Sequence, residues 1–161
     1  MALRRTFTPN LRRGFSLIEI IVVMSLFIAV AGMGLFVSMD SYRGFMFRSE
    51  RDSVVSLLNK ARSQALNNMC FGATCSGGKA HGVHFAAGQY TIFQGYTYAG
   101  RDVASDEVVA ARDLAASVTP LTDIVFSPLA ATTSSGTFTV TQDSHSSVIT
   151  VGTEGQIQWT N

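Results

Sequence analysis

The feature that most constrains this chain is an apolar run from Phe15 to Val37 that contains a single charged residue, Glu19. As an α-helix the run would extend about 34 Å, because each helical residue rises about 1.5 Å. That length can cross the roughly 30 Å hydrocarbon core of a bilayer, and the run exceeds the roughly 7–15 apolar residues of a secretory signal peptide. No Ala-x-Ala cleavage site follows Val37. The sequence therefore predicts a retained membrane anchor.

The charge distribution around this run favours one orientation. Four basic residues and no acidic residue precede it: Arg4, Arg5, Arg12 and Arg13. Positive charge on the N-terminal side favours a cytoplasmic N-terminus, which would place residues 40–161 outside the cytoplasm. Without residues 1–14 the chain keeps eight basic and eleven acidic residues, a net charge of −3. Because non-specific nucleic-acid binding needs many cations, this balance argues against it, although a small basic patch stays compatible with it.

The residues around the start of the run form a motif. Two arginines precede Gly14 and Phe15, and Glu19 lies five residues after the glycine, at the start of an unbroken apolar pattern. This order resembles the class III signal of type IV pilins and related pseudopilins. The resemblance implies that a prepilin peptidase cleaves between Gly14 and Phe15 and that the new amino group of Phe15 is methylated. One departure is Phe36, where many members of that family have proline.

Glu19 is the anomalous residue of the run, because a charge in hydrocarbon needs a proton or a partner. Cleavage after Gly14 would create an α-amino group, with a usual pKa of about 7.7–8.0, four residues before Glu19. In a low-dielectric helix bundle, the amine of a neighbouring subunit would relieve the cost of the unpaired carboxylate. The family resemblance implies this role in assembly and registration for Glu19. The alternative is an acid that snorkels near the helix end.

Beyond Asp40 the apolar residues follow the three-to-four spacing of an amphipathic helix. They are Val54, Leu57, Leu58, Ala61, Ala65, Leu66 and Met69. Charged residues occupy the intervening positions: Arg48, Glu50, Arg51, Asp52, Lys60 and Arg62. Since no proline occurs between Phe15 and Met69, the sequence predicts one long helix whose second half packs an apolar stripe on a sheet.

After Met69 the sequence becomes rich in glycine and serine. Cys70 and Cys75 lie in this stretch. In an extracytoplasmic compartment their spacing favours a disulfide that staples the helix end to the first strand, and two free thiols are the alternative.

Short strands are predicted downstream at Gly82–Phe85, Gln89–Gln94, Ile124–Phe126, Thr137–Thr141, Ser147–Val151 and Gln156–Trp159. Val103–Ala116 fits either a short helix or a surface loop.

The predicted fold class is α+β, with a long N-terminal transmembrane and stalk helix packed on a small antiparallel β-sheet head. The predicted divisions are a leader at 1–14, a transmembrane or filament-core helix at 15–39, its amphipathic continuation at 40–69 and the head at 70–161. The head resembles the GspH/FimT branch of pseudopilins at Leu57-Leu58-x-x-Ala61-Arg62-x-x-Ala65, at Gly82-Val83-His84-Phe85 and at Gly155-Gln156-Ile157. That resemblance implies a minor subunit of the filament.

No motif in the head indicates catalysis, and no residue set indicates a cofactor or a metal site. His81 and His84 are three residues apart, so in a strand they would face opposite sides and would not share a metal ion. The dispersed acidic residues form no EF-hand loop, which leaves a solvated loop or a looser calcium site. Tyr90, Tyr96 and Tyr98 would share one face if their strand extended that far, in the core or on a partner-binding or base-stacking surface.

These observations predict a structural subunit of a type IV pilus or a type II secretion pseudopilus, and no enzyme. The resemblance implies as partners other pilin or pseudopilin subunits, a prepilin peptidase, an inner-membrane platform protein, an assembly ATPase and membrane lipid. It implies a single-pass protein of the bacterial inner membrane with its head in the periplasm, and later a place in an extracellular filament. Two alternatives stay open: a signal-anchored monomeric receptor or ligand-binding module, and a DNA-uptake or adhesive minor pilin.

Overall fold

A computed structural model describes residues 14–73, 75–112, 116–120 and 123–160, apart from the side chains of residues 35–38. The predicted leader therefore lies outside the described residues except for Gly14. The chain divides into two compact units, one that ends at Ser41 and one that begins at Tyr42. Helix α1 (Leu17–Leu66, 50 residues) contributes its first part to one unit and its second part to the other.

The end of α1 has a definite stop signal. Asn68 has a left-handed backbone, with φ of 52°. Its N–H donates to the carbonyl of Ala65 at 3.0 Å, and the N–H of Met69 donates to the carbonyl of Gln64 at 3.0 Å. This pair of bonds is the Schellman arrangement, in which asparagine tolerates the left-handed position. The helix therefore stops at Leu66, three residues before the predicted end.

The described residues of the head form two antiparallel four-stranded sheets. The first has the order β3-β2-β1-β5, with β1 (His81–Ala86), β2 (Gln89–Gln94), β3 (Glu107–Ala110) and β5 (Ile124–Phe126). The second has the order β4-β6-β7-β8, with β4 (Ser117–Thr119), β6 (Gly136–Gln142), β7 (His145–Val151) and β8 (Ile157–Thr160). The predicted α+β class with an antiparallel β-sheet head is confirmed, and the described strands of that head are divided between two sheets.

All six predicted strands are present, with ends that differ by no more than two residues. The sequence did not predict β3 and β4. Val103–Ala116, left between a helix and a loop, contains a 3₁₀ turn at Val103–Ser105 and the edge strand β3, while residues 113–115 lie outside the description. Strand β3 is mostly exposed, so it lacks the alternation of buried and exposed residues by which strands are recognised.

One hydrophobic core joins the second part of α1 to the inner faces of both sheets. Its helix residues include Val54, Leu58 and Ala61, as the spacing predicted. Strand β1 contributes Val83 and Phe85, and residues of β6 and β7 complete the core. The opposite face of the first sheet is also covered, because Phe93 is buried and the Tyr98 ring packs edge-on against it at 5.5 Å. Strands β1 and β2 are therefore enclosed on both faces.

Gly82 is the strand position at which a side chain has least room. A Cβ built there would lie 2.5 Å from Cζ of Phe93 and 2.9 Å from the carbonyl oxygen of Ile124. We expect Gly82→Ala to destabilise the head by about 1–3 kcal/mol in urea unfolding, since the neighbouring strand would have to move. Gly136→Ala is the matched control, because nothing lies within 4 Å of its Cβ position. Equal stabilities of the two variants would contradict the packing assigned to Gly82.

Candidate functional site

The segment just before α1 is exposed and non-helical. Gly14, Phe15 and Ser16 precede the first helical residue, and Phe15 is 79% exposed. The carbonyl oxygen of Ser16 accepts bonds from the N–H groups of Glu19 at 3.0 Å and Ile20 at 3.3 Å, which begin the helical ladder. The peptide bond between Gly14 and Phe15 therefore lies outside the helix, where a protease can reach it without unwinding α1.

The first part of α1 is apolar on all sides. It contains an 18-residue window that is long and apolar enough to cross a membrane, and none of that window is buried within the protein. The exposed residues include Ile18, Phe27, Ile28 and Met33. A helix that is hydrophobic all round is stable when lipid or other helices surround it. This surface therefore needs a cover from outside the described chain.

Glu19 lies in the first turn of this apolar helix, and it is exposed. Its backbone N–H is bonded to Ser16, but in the described part of the chain no group forms a hydrogen bond or an ion pair with its carboxylate. A negative charge in the first turn is compatible with the helix dipole. The carboxylate is therefore available to a cationic donor from another molecule or from the processed N-terminus.

The segment that follows α1 is held by a disulfide and by side-chain hydrogen bonds. Cys70 and Cys75 form a disulfide, with Cα atoms 5.8 Å apart. The side chain of Gln94, the last residue of β2, accepts from the N–H of Phe71 at 2.7 Å and donates to its carbonyl at 3.2 Å. The disulfide thus closes a local loop, and the predicted staple to the sheet is supplied by Gln94 rather than by the sulfur bridge.

The two predicted histidine positions have different environments on opposite faces of β1. His81 is buried, and its Nε2 lies 3.0 Å from the carbonyl oxygen of Met69. Burial lowers the pKa of His81 below its usual 6.5, and the bond to Met69 partly opposes that shift. His84 is half-buried, with Nδ1 2.6 Å from a carboxylate oxygen of Asp123 and its ring stacked 3.7 Å from that of Tyr98. The two rings therefore do not converge on one ligand.

The tyrosines do not share a face, because β2 ends at Gln94. Tyr90 lies on the inner face and Tyr98 covers the outer face, whereas Tyr96 is exposed. The condition for a shared face, a strand that extends to Tyr98, is not met, since Gly95, with φ of 147°, turns the chain out of the strand.

One buried carboxylate was not predicted from the sequence. Glu50 was assigned to a polar position, but it is fully buried in the core. It accepts from the hydroxyl of Tyr90 at 2.6 Å and from the backbone N–H of Arg112 at 2.8 Å. Burial, followed by the contact with Glu50, raises the pKa of Tyr90. Helical spacing could have revealed this site, because Glu50 lies four residues before Val54 on the apolar stripe.

The lowered pKa of His81 predicts a pH dependence of stability. Between pH 7.5 and 5.5 the unfolded chain binds a proton at this residue more readily than the folded chain, so the free energy of unfolding falls as the pH falls. The expected contribution is up to about 1.4 kcal/mol per pH unit just below the usual histidine pKa. Urea unfolding of wild type and His81→Gln should show the weaker pH dependence in the variant. The exposed-residue control His145→Gln should match wild type, and identical slopes in all three proteins would contradict the prediction.

Two protein-family models match the chain. The model described as "Prokaryotic N-terminal methylation motif" matches residues 9–35. The model described as "Type II transport protein GspH" matches residues 50–155, about two thirds of the chain. Searches of curated proteins and of solved structures found no significant match. Both models describe pilin-type structural families, and the methylation motif with the apolar helix indicates a membrane-anchored protein. The chain belongs to the GspH family of type II transport proteins, within the pilin-like proteins.

Proposed function

We propose that this protein is a minor pilin-like subunit that is processed after Gly14 and assembled through α1 into a secretion pseudopilus or a type IV pilus. The observation that carries the proposal is the exposed segment Gly14–Ser16, followed at once by an uncovered apolar helix with an unpaired acid in its first turn. Lipid alone could cover the apolar surface, but an unpaired carboxylate is costly in lipid, so Glu19 favours a partner from another subunit.

Processing would act at residues 1–14. A prepilin peptidase would hydrolyse the Gly14–Phe15 bond, which releases the arginine-rich leader and leaves Phe15 with a free amino group. Methylation of that amine keeps a basic nitrogen at the helix start. The leader arginines would hold the N-terminus in the cytoplasm before cleavage, so the head would lie in the periplasm. The disulfide between Cys70 and Cys75 suits that oxidising compartment.

Assembly would use two features of α1 that have no partner among the described residues, its apolar surface and the carboxylate of Glu19. Packing of its apolar surface against other pilin helices would replace lipid contacts and supply cohesion. The carboxylate of Glu19 would accept the amine of a neighbouring subunit's first residue, and this pairing would set the axial register of the helices. An inner-membrane platform protein and a cytoplasmic ATPase would drive extraction from the membrane. The GspH match supports a minor rather than a bulk subunit.

Processing predicts a change in mass. Co-expression with an active prepilin peptidase should yield a chain that begins at methylated Phe15, and expression without the peptidase should leave residues 1–14 in place. Intact mass and N-terminal sequencing measure both states. Gly14→Val should stay unprocessed because a side chain would obstruct the bond to be cut, whereas the control Gly32→Val, inside α1, should be processed normally. A full-length chain in the presence of active peptidase would favour the signal-anchored monomer.

The role of Glu19 predicts a separation of processing from assembly. Glu19→Ala should be cleaved like wild type, yet its incorporation into filaments should fall about tenfold or more, because the neighbouring amine would lose its partner. Asp40→Ala is the matched control, since it removes another exposed acid of the same helix. Sheared filaments isolated from cells, quantified by immunoblot, provide the measurement. Normal incorporation of Glu19→Ala would exclude the registration role while leaving the processing proposal intact.

A further inference from the structure

An open cleft of about 520 Å³ lies in the head where α1 ends. One wall comes from the connection after the helix and includes Phe71 and Lys79, and the other comes from the loop after β2 and includes Tyr96, Arg101 and Asp102. We refer to it as the loop cleft. Its volume falls in the range of roughly 300–1,000 Å³ that is typical of small-ligand sites.

One residue in each wall of the loop cleft is held by hydrogen bonds within the protein. The Gln94 amide at its floor holds the backbone of Phe71 through two hydrogen bonds. In the opposite wall, Nε of Arg101 donates to Asp106 at 2.7 Å, and Nη1 donates to the carbonyl of Tyr98 at 2.8 Å. Binding to a cleft held in this way requires less ordering of its loops, which reduces the entropic cost.

The groups that remain uncommitted in the cleft are the ring of Tyr96 and the ammonium group of Lys79, since the Phe71 ring already packs edge-on against that of His81 at 5.7 Å. Tyr96 is 70% exposed, and its ring has no aromatic or cationic neighbour in the described part of the chain. The Phe71 ring is partly exposed. The ammonium group of Lys79 is exposed and has no hydrogen-bond partner among the described residues. By contrast, the Asp102 carboxylate already accepts from the N–H of Ala104 at 3.2 Å and from the hydroxyl of Ser105 at 3.4 Å.

These groups determine which class of ligand fits the loop cleft. A polyanion such as nucleic acid needs several free cations, but the cleft offers mainly Lys79, since two donors of Arg101 are already engaged. An extended peptide would need an open strand edge, and β2 is paired on both sides. An apolar helix would not fit the cleft either, because the walls of the cleft carry charged side chains. A ring with an apolar face and one carboxylate fits instead, since the face can stack on Tyr96 while the carboxylate pairs with Lys79.

We propose that the loop cleft binds an acidic saccharide, with the sugar ring on Tyr96 and its carboxylate at Lys79. This activity goes beyond the proposed assembly function, since the residues involved lie in the head and none of them belongs to α1. It would give an assembled subunit the capacity to contact acidic polysaccharide outside the cell. Failure of this binding would leave processing and filament incorporation unaffected, so the two proposals are tested separately.

The test uses the full-length protein in detergent micelles and measures binding by isothermal titration calorimetry. The probes are trigalacturonate, trimannuronate and 3′-sialyllactose, with galactotriose as a neutral comparator and a dT12 oligonucleotide as the nucleic-acid probe. We expect saturable binding of at least one acidic probe, weaker binding of galactotriose, and a decrease of affinity with added salt. Tyr96→Ala should weaken binding about tenfold, and Lys79→Gln about three- to fivefold.

Two matched variants control for effects of composition. Tyr42→Ala removes another tyrosine that is 64% exposed, and Lys60→Gln removes a cation whose partner is Glu107, outside the cleft. Both should bind as wild type does. Absence of binding for all three acidic probes, or equal losses in the cleft and control variants, would overturn the proposal. Binding of dT12 that depends on Tyr96 would also overturn it, because the cleft would then be a nucleic-acid site.

Discussion

The structure depends on a helix whose two parts have opposite requirements for their surroundings. In its second part α1 has one apolar stripe, and the head's own sheets cover it. In its first part the apolar surface extends around the whole helix, and no described residue covers it. About 25 cal/mol is gained for each Å² of apolar surface removed from water, so the first part can be stabilised only by lipid or by other helices. A membrane anchor follows from this property, and the proposed assembly would use the same surface.

Two acidic residues of α1 lie in contrasting environments. Glu50 is buried in the head, where the Tyr90 hydroxyl and the N–H of Arg112 satisfy its oxygens. These bonds offset the desolvation of the carboxylate and connect α1 to β2 and to the residues that follow β3. Glu19 has no such internal partner among the described residues. An acid whose partner is built into the fold contributes to the head alone, whereas an acid without one can contribute to contacts between molecules.

The sequence predicted the fold where the periodicity was strong. The long helix, its apolar stripe and six strands follow from spacing, from glycine-rich turns and from the absence of proline. Strands β3 and β4 were not predicted, because β4 has only three residues and β3 is an exposed edge. The helix end was placed three residues too far along the chain, since Met69 continues the apolar spacing while the Asn68 backbone reverses direction. Local turn geometry prevailed over hydrophobic pattern at that position.

The candidate sites also differ in how well they could be predicted from the sequence. Glu19 could be identified because a single charge contrasts with the apolar residues around it. Glu50 was missed because charge was taken to mean exposure, although its helical position placed it on the buried stripe. The loop cleft could not be predicted, since its walls come from segments about twenty residues apart that meet through the register of β1 and β2 and through the bonds of Gln94 to Phe71.

This difference in predictability reflects how freely the sequence can vary in α1 and in the loops of the head. In the proposed assembly, α1 must match similar helices in other subunits, so its sequence must follow a common pattern. The loops around Phe71 and Tyr96 have no such requirement, because Gln94 and the strand pairing hold their ends while their tips face solvent. Tip residues can therefore change without loss of the fold or of the assembly helix. The GspH family model matches residues 50–155, so the framework of the head is shared with the family as well, and a ligand of this protein's own would be bound by the loop tips rather than by that framework.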